Sequence, residues 1–211
     1  TKDFKVARDN LVEVKDIESE YKIPAIYYYA HIAYSKDQFQ LALEGFRLID
    51  QSPSFGTIVP YYIGQILYRQ NKFEEVARYG PIHYASISKK RKSEFAHIIG
   101  DAFYKIAKYD SAVSYLKTYN FIEKSSREDY YQFGYCYYQL GDFKNAIKYL
   151  SKVKSKKDSL AQIAFYQLGD AYIKNGQKDY ARNAFKTASQ LAFDKEIEEV
   201  SLPFLCQKQQ H

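Results

Sequence analysis

His31, His97, Cys136, Cys206, Asp101 and Asp170 are the side chains of this sequence best suited to chemistry. Their spacing argues against most of it. No HExxH pattern or cluster of Cys and His accompanies the two histidines, and the cysteines lie far apart without CxxC spacing, so neither a metal site nor a disulfide framework is expected. Asp101 and Asp170 do not form a paired-carboxylate site by spacing alone. The glycines fall singly, without GxGxxG or GxxxxGK, so no phosphate loop is visible. The expectation is a protein with no catalytic residues, no metal and no cofactor.

Tyrosine is what the sequence offers instead, with 23 in 211 residues. Residues 130–143 read YYQFGYCYYQLGDF. A tyrosine brings a broad apolar ring, two torsions to immobilise and a hydroxyl that tolerates water, which suits a binding surface as well as a core. Hydrophobic residues make up 46% of the chain, enough for a sizeable core.

The net charge of +6 permits contact with anions without arguing for it. The basic runs SKKRKSE at 88–94 and KVKSKK at 152–157 read as solvated connectors, and no nucleic acid is expected as a partner. No apolar run reaches the roughly 18 residues that would span a bilayer, and the N-terminus lacks the order of a signal peptide. The absence of methionine suggests a mature or excised fragment.

The elements that must position these tyrosines show themselves as a repeat. Aligning Ala30, Gly64, Gly100, Gly134 and Gly169 gives spacings of 34, 36, 34 and 35 residues. Three positions after each small residue stand Ala33, Leu67, Phe103, Tyr137 and Tyr172, and twelve after stand Ala42, Val76, Ala112, Ala146 and Ala181. Sixteen after come Phe46, Gly80, Leu116, Leu150 and Phe185. Within QIAFYQLGDAYIK, Phe165, Leu168 and Tyr172 make an apolar helical stripe, and Gly169 clears space for a second helix. Gly141-Asp142 and Gly176-Gln177 then break the helix. Such hairpins cannot bury their faces alone and must stack.

These columns resemble the tetratricopeptide repeat, in five copies from Ile23 to about Lys195. The resemblance implies an all-α fold, a right-handed α-solenoid of stacked antiparallel helical hairpins. The copies span 23–56, 57–92, 93–126, 127–161 and 162–195. Residues 1–20 read as the second helix of a truncated repeat, with Phe4, Ala7 and Leu11 in register, and 196–211 as a short helix and a frayed tail. In the second copy, Gly80-Pro81 stands where a large residue belongs, so that helix is expected to kink or break near Tyr79. The wording of several copies resembles the long, many-repeat proteins of Bacteroidetes-type bacteria, which implies a periplasmic or cell-envelope location.

In the family the first helix of each hairpin lines an inner surface. The resemblance implies a partner-binding groove on three columns: Tyr27, Tyr61, His97, Tyr131 and Tyr166; then His31, Gln65, Asp101, Tyr135 and Asp170; then Tyr34, Tyr68, Tyr104 and Tyr138. The first two columns hold no lysine or arginine, so the family's carboxylate clamp is not expected. The implied function is a protein-interaction scaffold that binds a peptide or partner segment in this tyrosine-lined groove. The alternative is a spacer or assembly segment of a longer chain with an unoccupied groove, including end-to-end self-association through the incomplete terminal repeats.

Overall fold

The structure is a computed structural model that describes residues 2–119, 126–153 and 156–206. Among the described residues every regular element is a helix. They fall into two compact units that divide after Ile106. In the first, α1 (Lys2–Lys15) lies on α2 (Lys22–Ser35), which pairs with α3 (Phe39–Arg47). α4 (Val59–Arg69) pairs with α5 (Phe73–Tyr84), and α6 (Lys89–Lys105) packs on both. In the second, α7 (Tyr109–Leu116) packs on α8 (Arg127–Gln139), which pairs with α9 (Phe143–Leu150). α10 (Ser159–Lys174) pairs with α11 (Lys178–Leu191), against which α12 (Lys195–Ser201) and α13 (Pro203–Cys206) close.

The turn after each first helix has the same backbone device. Seven residues after the small column, Asp37, Asn71, Ala107, Gly141 and Gly176 all take positive φ, between 56° and 76°. Gln38, Lys72, Asp142 and Gln177 then donate their N–H groups to Ala33, Leu67, Tyr137 and Tyr172, closing the last turn of each first helix in the Schellman manner. Glycine adopts this conformation without strain, whereas Ala107 carries a Cβ into it at a cost of about 1 kcal/mol.

The core follows the small-against-large columns. A Cβ on Gly134 would meet the Leu150 side chain at 2.8 Å, and one on Gly169 would meet the Phe185 ring at 2.8 Å. Ala30, Ala42, Phe46, Phe95, Ile99 and Phe185 are almost wholly buried. Burying each large side chain contributes roughly 1.5–3 kcal/mol.

The second hairpin departs from the pattern without breaking. α5 runs through Gly80 and Pro81 to Tyr84, so of the expected kink or break near Tyr79 the break does not occur. The reason is tertiary. A Cβ on Gly80 would stand 2.5 Å from Ile99 Cγ1, and one on Gly64 would stand 2.6 Å from the Phe95 ring. Both intruding side chains come from α6. The large group missing from α5 is thus supplied by the next first helix, and that packing outweighs the hydrogen bond lost at Pro81.

Successive hairpins are tied at the helix starts. Thr57 accepts from the backbone N–H of Ser88 at 3.0 Å; the Arg127 guanidinium donates twice to the Asp158 carboxylate, at 2.6 and 2.9 Å; and Gln162 binds the backbone of Asp194. Ser88, Asp158 and Asp194 are the N-caps of α6, α10 and α12. Thr57, Arg127 and Gln162 all stand seven residues before the small column, so one register position fixes where the following helix begins.

At the C-terminal end, Phe204 stacks on Phe185 with centroids 4.2 Å apart. The chain is therefore packed through Phe204 rather than frayed after Leu202. Residues 207–211 of the expected tail, and the side chains of Phe4 and Ala7, lie outside the described parts of the structure.

Candidate functional site

The three tyrosine columns come from the first helices of the hairpins, and within each unit adjacent first helices place them side by side. In the first unit Tyr34 on α2 donates its hydroxyl to Gln65 Oε1 on α4 at 2.6 Å, and Gln65 Nε2 donates to the Tyr61 hydroxyl at 2.7 Å. Tyr61 in turn donates to Glu94 on α6 at 2.7 Å, and Tyr68 on α4 donates to Asp101 on α6. In the second unit Tyr138 on α8 donates to Asp170 on α10, and Gln167 Nε2 donates to the Tyr131 hydroxyl at 3.2 Å.

Three of these bonds follow one rule. The third-column tyrosine of one copy donates to the second-column residue of the next: Tyr34 to Gln65, Tyr68 to Asp101, Tyr138 to Asp170. Burial, then the hydrogen bond and charge of Asp101, push the Tyr68 phenol above its ordinary range. Burial and then Asp170 do the same to Tyr138. These phenols stay protonated and remain donors at any ordinary pH. Asp101 and Asp170 are therefore acceptors inside the protein as well as members of the candidate face.

The rings divide differently from their hydroxyls. Tyr61, at 4% exposure, is withdrawn from the surface. Tyr27 is half-buried, and one face of its ring stacks on Phe55 at 4.3 Å; burial and then Tyr62 push its phenol up to about 12. Tyr34, Tyr68, Tyr104, Tyr131, Tyr135, Tyr138 and Tyr166 keep part of their surface, as do His31, His97, Gln65 and Asp170. On α8 the rings of Tyr131, Tyr135 and Tyr138 form a row, with successive centroids 6.0 and 6.3 Å apart and planes within about 20° of parallel. Tyr166 meets Phe185 edge-on at 5.7 Å.

Several residues of this face are not in the three columns. Tyr62 stacks on Phe46 at 5.3 Å and meets His31 and Tyr34 edge-on at 5.2 and 5.3 Å. Burial and the nearby Arg91 charge hold His31 below its ordinary value, so it is a neutral imidazole. Arg91 lies 4.7 Å from the Tyr61 ring, Arg69 lies 5.6 Å from the Tyr34 ring, and Lys174 lies 4.7 Å from the Tyr138 ring. Arg69 and Lys174 share a register position one residue beyond the third column, and that recurrence was open to sequence reading. Arg91 reaches the face from the first turn of α6, which only the packing of α6 on α4 reveals.

Cys136 is fully buried in α8. Among the described residues no three His, Cys, Asp or Glu side chains stand close enough to hold a metal ion. No helix among them is long and apolar enough to cross a membrane.

A stack of helical hairpins with a tyrosine-bearing first-helix face defines an α-solenoid. The chain has the tetratricopeptide-repeat fold, as the comparisons with known proteins show. It is similar over 85% of its length to YrrB, described as a TPR protein with an unusual peptide-binding site, with a TM-score of 0.69, 17% identity and 91% of that chain covered. It is similar to MamA AMB-1, with a TM-score of 0.66 at 15% identity over 86% of this chain and 99% of that one. It is similar also to the C-terminal part of a TPR repeat-containing protein from Cytophaga hutchinsonii, with a TM-score of 0.56 at 18% identity over 86% of this chain and 73% of that one. The family model for anaphase-promoting complex, cyclosome, subunit 3 matches residues 119–188. No curated protein is similar enough to count as a match.

Proposed function

We propose that this chain is a non-catalytic protein-interaction scaffold that binds a peptide or partner segment on its tyrosine-bearing first-helix faces. The observation that carries the proposal is the near-parallel row Tyr131, Tyr135 and Tyr138: three half-buried rings on one helix, each keeping part of its surface. Rings stacked this way lose little side-chain entropy when a partner covers them. The peptide-binding description of the similar YrrB supports the same reading. The hydroxyl ladder refines it. Tyr34, Tyr68 and Tyr138 already donate inside the protein, so a partner meets their rings rather than their hydroxyls.

A photo-crosslinking amino acid tests this. Placed at Tyr135 it should give discrete adducts in native lysate, and placed at Tyr180, exposed on the second helix α11, it should not. Adducts from Tyr180 and none from Tyr135 would favour the spacer reading.

A further inference from the structure

The first unit's face carries information about its partner's charge, an inference that rests on the groove reading above. The two leading columns of that face hold no lysine or arginine, yet two guanidiniums reach it from outside them. Arg69 lies 5.6 Å from both the Tyr34 and Phe39 rings. Arg91 lies 4.7 Å from Tyr61 and 5.8 Å from Tyr62. Tyr62 meets Tyr34 and His31, so the two cations border one aromatic cluster.

Each guanidinium has a carboxylate beside it: Arg69 donates to Asp37 at 3.4 Å and Arg91 donates to Glu94 at 3.3 Å. Both are long. The Arg69–Asp37 pair is exposed by 52% and 73%, so it contributes little, and a guanidinium has five N–H donors. The acids of the same face are differently placed. Glu94, its side chain 52% exposed, accepts the Tyr61 hydroxyl and Asp101 accepts the Tyr68 hydroxyl, so each carboxylate already has a phenol partner inside the protein. His31, kept neutral by burial and by Arg91, adds no charge. Beside Arg91, Lys89 and Lys90 are exposed on the first turn of α6, where no acidic residue offsets the helix dipole. Cations there are unfavourable for the helix, and a bound acid relieves that cost.

We infer that the first unit's tyrosine face takes an acidic protein segment. Arg69 and Arg91 pair with its carboxylates across the Tyr34, Tyr62 and His31 cluster, in the planar geometry that suits guanidinium to carboxylate.

The test is selection from a random-sequence decapeptide display library on the full chain and on its Arg69→Gln/Arg91→Gln variant. The expected result is enrichment of Asp and Glu on the wild-type chain. On the variant, affinity for the enriched peptides should fall about tenfold or more while apolar preference persists. Apolar or basic enrichment without acids overturns the inference and leaves the groove reading standing. Acidic enrichment that survives in the variant overturns the assignment to these arginines. No enrichment at all overturns both readings. Peptides displaced by a labelled single-stranded oligonucleotide at lower concentration would mark a general polyanion surface and overturn the commitment to a protein segment.

Discussion

Gln162 holds the backbone of Asp194 at both ends: its Oε1 accepts the Asp194 N–H at 2.7 Å, and its Nε2 donates to the Asp194 carbonyl at 2.9 Å. The same Oε1 also accepts from Phe193 at 3.0 Å, and the side chain is wholly buried. One amide thus fixes the turn that follows Ala192, itself at positive φ, and seats α12 against the last full hairpin.

Replacing Gln162 with Leu removes the side-chain partner of the Phe193 and Asp194 N–H groups and one of the two donors to the Asp194 carbonyl. We expect a loss of about 1–2 kcal/mol, read from urea unfolding. Limited proteolysis should then cut first near residue 193. Cleavage unchanged from wild type would show that α12 is held by its apolar contacts instead.

Gly169→Ala and Gly80→Ala test the close approaches. Each should destabilise by about 1–3 kcal/mol, because Phe185 and Ile99 have no room to retreat. Shortening the second partner should rescue Gly80→Ala in part, so an Ile99→Ala background should make the substitution less costly than it is in the wild type. Thermal melts of the four chains decide the coupling.

Ala107→Gly should stabilise by about 1 kcal/mol, since φ there is 58° and glycine reaches it without a Cβ penalty. The corresponding turns of the last two hairpins already have Gly141 and Gly176. A lower melting temperature for this variant would show that the alanine side chain makes a contact worth more than the strain.

The Arg127–Asp158 pair predicts an acid limb. The Arg127 hydrogen bonds hold the Asp158 carboxyl down at about 2, below the ordinary 3.8. A depressed carboxylate stabilises the fold above its unfolded value and loses that contribution as pH falls through the folded one. Stability should therefore decline between about pH 4 and pH 2, and Asp158→Asn should flatten that limb while lowering the neutral-pH midpoint. Circular dichroism melts across this range give the measurement.

Tyr34→Phe, Tyr68→Phe and Tyr138→Phe separate the two roles of the face. Each should cost about 0.5–1.5 kcal/mol by removing a link between neighbouring first helices. The rings remain, so capture of a partner should persist. If the hydroxyl deletions abolish crosslinking from Tyr135 without changing the melting temperature, the hydroxyls face the partner after all.

The hairpins and their turns were legible in the sequence, because they rest on local chemistry repeated at fixed spacing. The small column opposite Phe46, Leu150 and Phe185, and the glycines at positions 141 and 176, each state their reason within one copy. The register of the tyrosines along the first helices was legible too, as columns. Other features depend on residues a full repeat away. That α5 survives Gly80-Pro81 was decided by Ile99 and Phe95 arriving from α6. That Tyr61 is buried, that Tyr68 and Tyr138 donate to Asp101 and Asp170, and that Arg91 stands over the rings were decided by how one first helix seats on the next. The sequence by itself determined which residues share a helix face, since that follows from 3.6 residues per turn. Only tertiary packing decided which of those side chains are used inside the protein and which keep part of their surface, because hydrogen bonds and burial between helices depend on distances that no single helix sets.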